Sequence, residues 1–494
     1  MFSDFLSAIC QHMAQSPEAP ALITPDDTIS FGTLSRRVAS IGAALAPMRG
    51  QTQLILGHKE PDCVAAMIAC ALVGCPFVFA DRSYPLPRIT RIARVAGAAH
   101  ALVAGPLPEG LAIAATALDS LTDSGATPTA PLPGTGAEIL YIIFTSGSTG
   151  EPKGVPISRR NYDALHGWYA ALLAEAPFGA HVNHSSFAFD MAMFDLWPSL
   201  SLGRPVILLD HRNNILPRKN IVHLQACAPG SWASTPSLLQ LMCSDPAFDH
   251  SRFPDLQFFV IGGEMLPRPL IRDLQRRFPK ARLYNGYGPS EATCCTHLRL
   301  LTAEDAGGDG PLSLGLPVGL SRMRIVDESG AEVAPGEAGE VELIGPQVVQ
   351  GYLPADHPAN RAFGWHGAQR SYRSGDLGRV DAGGALILLG RIDRQVKWLG
   401  LRIELDEIER VAAEFPAVRK AACLPRTEQG KVVGMLLFVE TGAGVPPRRE
   451  DLLAHLGRFL PAAVIPRDLR FVDRLPVTIN GKVDTRALLE TAPA

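Results

Sequence analysis

The amino-acid sequence predicts an α/β protein: a large N-terminal domain of mixed and parallel sheets flanked by helices, with a β-rich subdomain, followed by a small mobile C-terminal α+β lid domain. Three observations carry this expectation. Apolar strand-like runs alternate with helical patterns up to about residue 300, as parallel sheets covered by helices require. Beyond that point the texture shifts to short β-like pieces separated by turn residues, and the stretch after Arg391 has an alternation of its own. At 494 residues the chain exceeds what one hydrophobic core serves, so the expected division is 1–391 for the core, with its β-rich part at about 300–391, and 392–494 for the lid.

Taken in order, the N-terminal MFSDFLSAICQHMAQSPEAP carries an early Asp4 and no basic stretch ahead of an apolar one, so no export signal is expected. Cys63 to Ala80 is apolar throughout and long enough to nominate a membrane span. Gly74, Cys75 and Pro76 interrupt it, and a buried helix followed by a buried strand is expected instead. The expected core strands are LILG (54–57), FVFA (77–80), ALVAG (101–105), LYIIFT (140–145), PVILL (205–209) and LQFFVIGG (256–263), with a Pro/Gly/Ser/Thr-rich loop at 121–138. MRIVDESG, GEVELIG and GALILLGR supply the β-rich part. In the lid, RIELDEIERVAAEF and EDLLAHLGRFL read as helices and AACLP and VGMLLFVE as strands.

Net charge is −3, from 46 basic and 49 acidic residues, which leaves no electrostatic footprint for nucleic acid or an anionic membrane. The nine cysteines form no CxxC pair and are odd in number, so neither a disulfide framework nor a structural zinc site is expected, and a reducing cytoplasm is. The adjacent Cys294 and Cys295 read as buried thiols or pocket wall.

The most informative stretch is TSGSTGEPKG, Thr145 to Gly154. Glycines bring backbone close to a ligand, the hydroxyls of Thr145, Ser146, Ser148 and Thr149 are donors for phosphate oxygens, and Lys153 adds positive charge. Gly147 and Gly150 complete the run, which lacks the GxxxxGK[ST] spacing of P-loop NTPases. ATP chemistry on a different nucleotide fold is expected.

Six further motifs follow: FAFDMAMFDLWPSL (187–200), NGYGPSEAT (285–293), GEAGEVELIGPQVVQGYL (336–353), YRSGDLG (372–378), GRIDRQVKWLGLRIEL (390–405) and NGKVD (480–484). Together they resemble the acyl-adenylate-forming superfamily, specifically its amino-acid adenylation enzymes, over nearly the whole chain. The resemblance implies activation of a carboxylate with MgATP to an acyl-adenylate, then transfer of the acyl group to a thiol. It implies that Asp376 accepts charge-assisted bonds from the ribose hydroxyls, that Arg391 donates to the same nucleotide, and that Tyr287, flanked by Asn285, Gly286 and Gly288, lies against adenine. Glu291 matches the Mg²⁺ carboxylate, with Thr145 or Thr149 helping to hold metal or phosphates. Lys482 resembles the lid lysine that reaches both the attacking carboxylate and the α-phosphate, Asp393 the hinge, and Gly400 a glycine lining the pantetheine tunnel. Beyond Lys482 there is no carrier segment with a phosphopantetheine site, so a separate carrier protein is the expected partner.

Asp190 matches the aspartate that pairs with an amino acid's α-ammonium in these enzymes; a helix-capping aspartate is the competing reading. The resemblance places Met191, Phe194, Ala233, Val260, Gly262, Gly286, Cys294 and Cys295 in the pocket wall, apolar and uncharged. A small or medium aliphatic amino acid, or proline, is expected. The stretches around 189–200, 234–241 and 262–271 look like stand-alone D-alanine:carrier protein ligases, but those carry Cys where this chain has Gly262, which ranks ligases for proline or another small amino acid slightly higher. An acyl-CoA ligase, disfavoured by Asp190, and a non-catalytic nucleotide-binding scaffold, disfavoured by Lys482 and Glu291, are the alternatives.

Overall fold

Two largely parallel sheets dominate the fold, as the alternation of apolar runs and helices requires. The computed structural model describes residues 4–121, 136, 138–145, 152–210, 217–308, 311–392, 394–428, 431–441, 447–476, 483 and 487–488. The chain divides into two compact units: Met1–Arg82 with Ala93–Phe144 and Gly154–Ile392, and Ser83–Ile92 with Thr145–Lys153 and Asp393–Ala494.

In the first unit, Gln53–Gly57 pairs in parallel with Phe77–Asp81 and His100–Val103, and Phe77–Asp81 with Ile139–Thr145. These are four of the expected runs, displaced by a residue or two at their ends. The Cys63–Ala80 stretch is a helix, Pro61–Val73, and a strand, Phe77–Asp81. Gly74 ends the helix at φ 80°, a left-handed cap that only glycine adopts without strain. Among the described residues no helix is long and apolar enough to cross a membrane.

The second sheet has eight strands. At its centre Val206–Leu208, Ala180–Asn183, Pro229–Ser234, Phe258–Gly262 and Arg282–Tyr287 run parallel. Register sets Asn183 beside Ala233, Ser234 beside Ile261, and Gly262 beside Gly286. Ligands bind outside the carboxyl ends of such strands, and these residues stand at those ends. Trp232, Phe248, Phe253, Phe259 and Phe278 fill one core of this unit. Around Trp197, on the Asp190–Ser201 helix, Phe5, Tyr141 and Tyr162 pack with ring centroids 5.1, 5.8 and 5.0 Å away. Beyond these lies an antiparallel sheet of five strands between Arg322 and Arg391, the β-rich part.

In the second unit, Gln395–Trp398 and Leu401–Glu404 form a hairpin. Leu399 and Gly400 turn it at φ 53° and 76°, the paired left-handed conformation of a tight two-residue hairpin turn. The helix expected from Arg402 therefore starts later, at Leu405–Ala413, because residues 401–404 pair back across that turn. Val418–Glu428 and Lys431–Thr441 pair antiparallel, and Asp468–Val472 joins in parallel. The helices Leu405–Ala413 and Arg449–Gly457 bury Ile408, Val411, Leu452 and Leu456 in this unit's core.

Candidate functional site

Asp376 lies mid-strand in Gln369–Val380, opposite Arg391 on Leu386–Arg391. Both its carboxylate oxygens are engaged: Arg391 Nη1 donates to Oδ1 at 2.8 Å, and the Tyr287 hydroxyl donates to Oδ2 at 2.6 Å. Arg391 Nη1 also donates to the Ser374 carbonyl at 3.1 Å, and the Asp376 N–H to Ser374 Oγ at 3.1 Å. Burial, and after it the adjacent Asp376 carboxylate, pushes the Tyr287 phenol well above its ordinary range, so it remains a donor. Each carboxylate oxygen has a second lone pair, so the group can accept two further hydroxyls in this orientation. Three residues expected at a nucleotide thus meet, although 89 residues separate Tyr287 from Asp376.

Asn285 and Gly286 sit on the same strand as Tyr287. A Cβ on Gly288 would meet the Cys294 carbonyl oxygen at 2.5 Å and Cys295 Cα at 2.7 Å. The chain after Tyr287 folds against itself there, with Thr293 and Cys294 left-handed at φ 54° and 68°. Gln347, almost fully buried, holds that turn: Nε2 donates to the Cys295 carbonyl at 2.8 Å, and its own carbonyl accepts from Thr293 Oγ1 at 2.6 Å. Sequence reading did not single out Gln347, although it lies inside the motif at 336–353.

Glu291 is wholly buried, and its Oε1 accepts from the Tyr352 hydroxyl at 2.5 Å, with the Tyr372 hydroxyl 3.0 Å from that of Tyr352. Thr145 Oγ1, at the end of Ile139–Thr145, is buried with no hydrogen-bond partner among the described residues. The buried carboxylate of Glu291 is a hard oxygen donor of the kind that suits Mg²⁺ completed by phosphates and water. Ser146, Gly147, Ser148, Thr149, Gly150, Asp393 and Lys482 lie outside the described residues. Lys153 is buried, with Nζ 3.8 Å from Glu404 Oε1, a carboxylate partner where a phosphate was expected. Gly400 has a conformational reason of its own in the hairpin turn.

Asp190 opens the Asp190–Ser201 helix, where the helix dipole favours a carboxylate. It is close enough to Tyr141 and Cys295 to raise both groups, secondarily to burial, which takes Cys295 to about 12. A Cβ on Gly286 would lie 3.6 Å from Val260 Cγ1 and 3.7 Å from Cys295 Sγ, and one on Gly263 3.5 Å from Met191 Cε. Ala233 stands beside Val260 in register. Phe194 stacks on Tyr169 at 3.8 Å. At Gly262, expected in the pocket wall, a Cβ would meet the Gly286 carbonyl oxygen at 2.9 Å, so glycine also permits close strand approach.

The fold is that of an α/β protein in which these residues stand at the carboxyl ends of a parallel sheet. Residues 10–353 match the model of the AMP-binding enzyme family, and 407–482 that of the AMP-binding enzyme C-terminal domain. The D-alanine–D-alanyl carrier protein ligase of Bacillus licheniformis is 30% identical over 500 residues, covering 98% of this chain and 99% of that protein. The ligase of the same description from Listeria welshimeri is 31% identical over 510 residues, covering 99% of each. Among solved structures, holo-PA1221, an NRPS protein containing adenylation and PCP domains, superposes with a TM-score of 0.84 at 26% identity, covering 99% of this chain and 84% of that one. This chain belongs to the AMP-binding enzyme family and is an AMP-forming ligase of the acyl-adenylate-forming superfamily.

Proposed function

We propose that this ligase activates a small apolar amino acid with MgATP as the aminoacyl-adenylate and passes it to the phosphopantetheine thiol of a separate carrier protein. One observation supports the substrate class: Asp190, a carboxylate at the first residue of a helix, lies near Cys295, and the expected wall residues Met191, Val260, Gly286 and Cys295 bring no charge of their own. A zwitterion's ammonium pairs with that carboxylate, whereas a charged substrate side chain would stay unmatched at a cost of several kcal/mol in order of magnitude. Full-length likeness to D-alanyl carrier protein ligases puts D-alanine ahead of proline.

In this reading Asp376 accepts the ribose hydroxyls, held by Tyr287 and Arg391, while the Tyr287 ring backs the adenine. Glu291, fixed by Tyr352, and Thr145 would hold Mg²⁺, whose charge offsets that of the phosphates when bound. Asp190 orients the amino acid by its nitrogen, leaving its carboxylate to attack the α-phosphate, where Lys482 offsets repulsion between the two anions. Residues 1–391 serve as the core and 392–494 as a lid that turns about Asp393 between adenylation and thiol transfer.

Amino-acid-dependent exchange of pyrophosphate into ATP tests the reading across D-alanine, L-alanine, glycine, L-serine and L-proline. Exchange is expected with one small member of this panel, and thioester formation with holo carrier protein in preference to free coenzyme A. Absence of exchange with the whole panel overturns it.

A further inference from the structure

Lys59 is almost fully buried and has no part in the chemistry above. We propose that it is a positioning residue for the amine anchor, setting the first turn of the Asp190–Ser201 helix through Asn183; the inference rests on the reading of Asp190 given above. Its ammonium donates to the side-chain oxygen of Asn183, lies 3.4 Å from the carbonyl of the same residue, and stands 4.2 Å above the Phe187 ring. Asn183 ends the strand Ala180–Asn183, and its amide nitrogen turns the other way. It donates to the Ala192 carbonyl at 2.9 Å and to Asp195 Oδ1, both on the Asp190–Ser201 helix. Ala192 is two residues from Asp190.

The residues between strand and helix are tied to the same cluster. Ser186 Oγ donates to Asp81 Oδ2 at 3.3 Å, which also faces His58 Nδ1 at 3.1 Å. His58 Nε2 faces Asp210 Oδ1 at 2.8 Å, so both ring nitrogens meet carboxylates. Asp195, fully buried, has His181 Nε2 3.4 Å from its Oδ2.

A buried ammonium is expensive unless it is paired, and fixing one arrangement of its partners is the best-attested use of such a group. Burial lowers Lys59 to about 7, against the opposing pull of Asp195, Asp81 and Asp210, the carboxylates around it. The ammonium orients the Asn183 amide so that its nitrogen, not its oxygen, meets the helix. The anchor at position 190 inherits that orientation.

Two variants test this by pyrophosphate exchange, using the best-exchanged member of the panel D-alanine, L-alanine, glycine, L-serine and L-proline. Lys59→Met removes the ammonium. Asn183→Asp keeps a partner for Lys59 but removes the donor to both Ala192 and Asp195 Oδ1. Both are expected to raise KM for the amino acid at least about tenfold while KM for ATP stays within about twofold, a split that general loosening of the fold does not produce. If Lys59→Met does not fold, Asn183→Asp decides alone. Unchanged amino-acid KM in folded Asn183→Asp, or a parallel rise for both substrates, overturns the inference. Asp190→Ala is measured alongside: if it leaves amino-acid KM unchanged, the reading of Asp190 falls first; if it raises KM and Asn183→Asp does not, only the role of Lys59 falls.

Discussion

Replacing Asp376 by asparagine removes a charge and keeps the shape. The amide must turn its oxygen to Arg391, which only donates, and its nitrogen to Tyr287, whose hydroxyl can rotate to accept. The pocket therefore retains both contacts, and the loss falls mainly on what the carboxylate accepts from the nucleotide. A charge-assisted hydrogen bond exceeds a neutral one by about 1 to 1.5 kcal/mol, so two ribose hydroxyls lose about 2 to 3 kcal/mol together, or about 30- to 150-fold in KM for ATP. Arg391, largely buried, loses its ionic partner as well, so stability falls and Tm is measured alongside. Pyrophosphate exchange with ATP and with its 2′-deoxy and 3′-deoxy analogues measures this. Removing the hydroxyl and removing the charge disrupt the same bonds, so their penalties should not add. A KM for ATP within about threefold of the parent in a folded variant, or fully additive penalties, refutes the assignment of Asp376 to the ribose.

Glu291→Gln keeps an acceptor for Tyr352 but halves the donor set for a hard cation, so half-saturation with Mg²⁺ should rise at least about tenfold; an unchanged Mg²⁺ titration counts against this role. Lys482→Ala should nearly abolish adenylate formation while sparing transfer from a synthetic adenylate, and equal loss in both half-reactions argues against the lysine's placement. Gly288→Ala drives a methyl group into the Cys294 carbonyl and should destabilise by about 1 to 3 kcal/mol, seen as a lowered Tm; no shift would show that the turn relaxes freely. Burial lowers His297 to about 3 and His166 to about 4. Between those values and the ordinary histidine range near 6.5, the unfolded chain binds protons that the folded chain refuses. Stability therefore falls as pH drops through that window, by up to about 1.4 kcal/mol per pH unit for each histidine. Urea unfolding at several pH values should show a shallower dependence for His297→Gln, and an identical slope would contradict it.

The motifs were readable because each packs several chemistry-bearing residue types into a few neighbouring positions: NGYGPSEAT brings Tyr287 and Glu291 within one turn region, and YRSGDLG puts Asp376 on a strand beside Arg391. One local expectation, the start of the lid's first helix, needed correction. Amphipathic spacing after Arg402 fits a helix, but a left-handed turn at Leu399 and Gly400 recruits residues 401–404 into a hairpin first. Gly262, expected in the pocket wall, also has the backbone of Gly286 as its neighbour, seen only once the two strands are in register.

Hydrophobic periodicity and the order of short motifs were enough for the α/β class and the family, since these depend on neighbours in the chain. Pairings across long loops were not. Lys59 and Asn183 are 124 residues apart and Tyr352 and Glu291 are 61 apart, and nothing local marks either pair. A lysine's surroundings cannot be read from its neighbours in the sequence; the burial of Lys59 near Asp81, Asp195 and Asp210 exists only when the sheets are assembled.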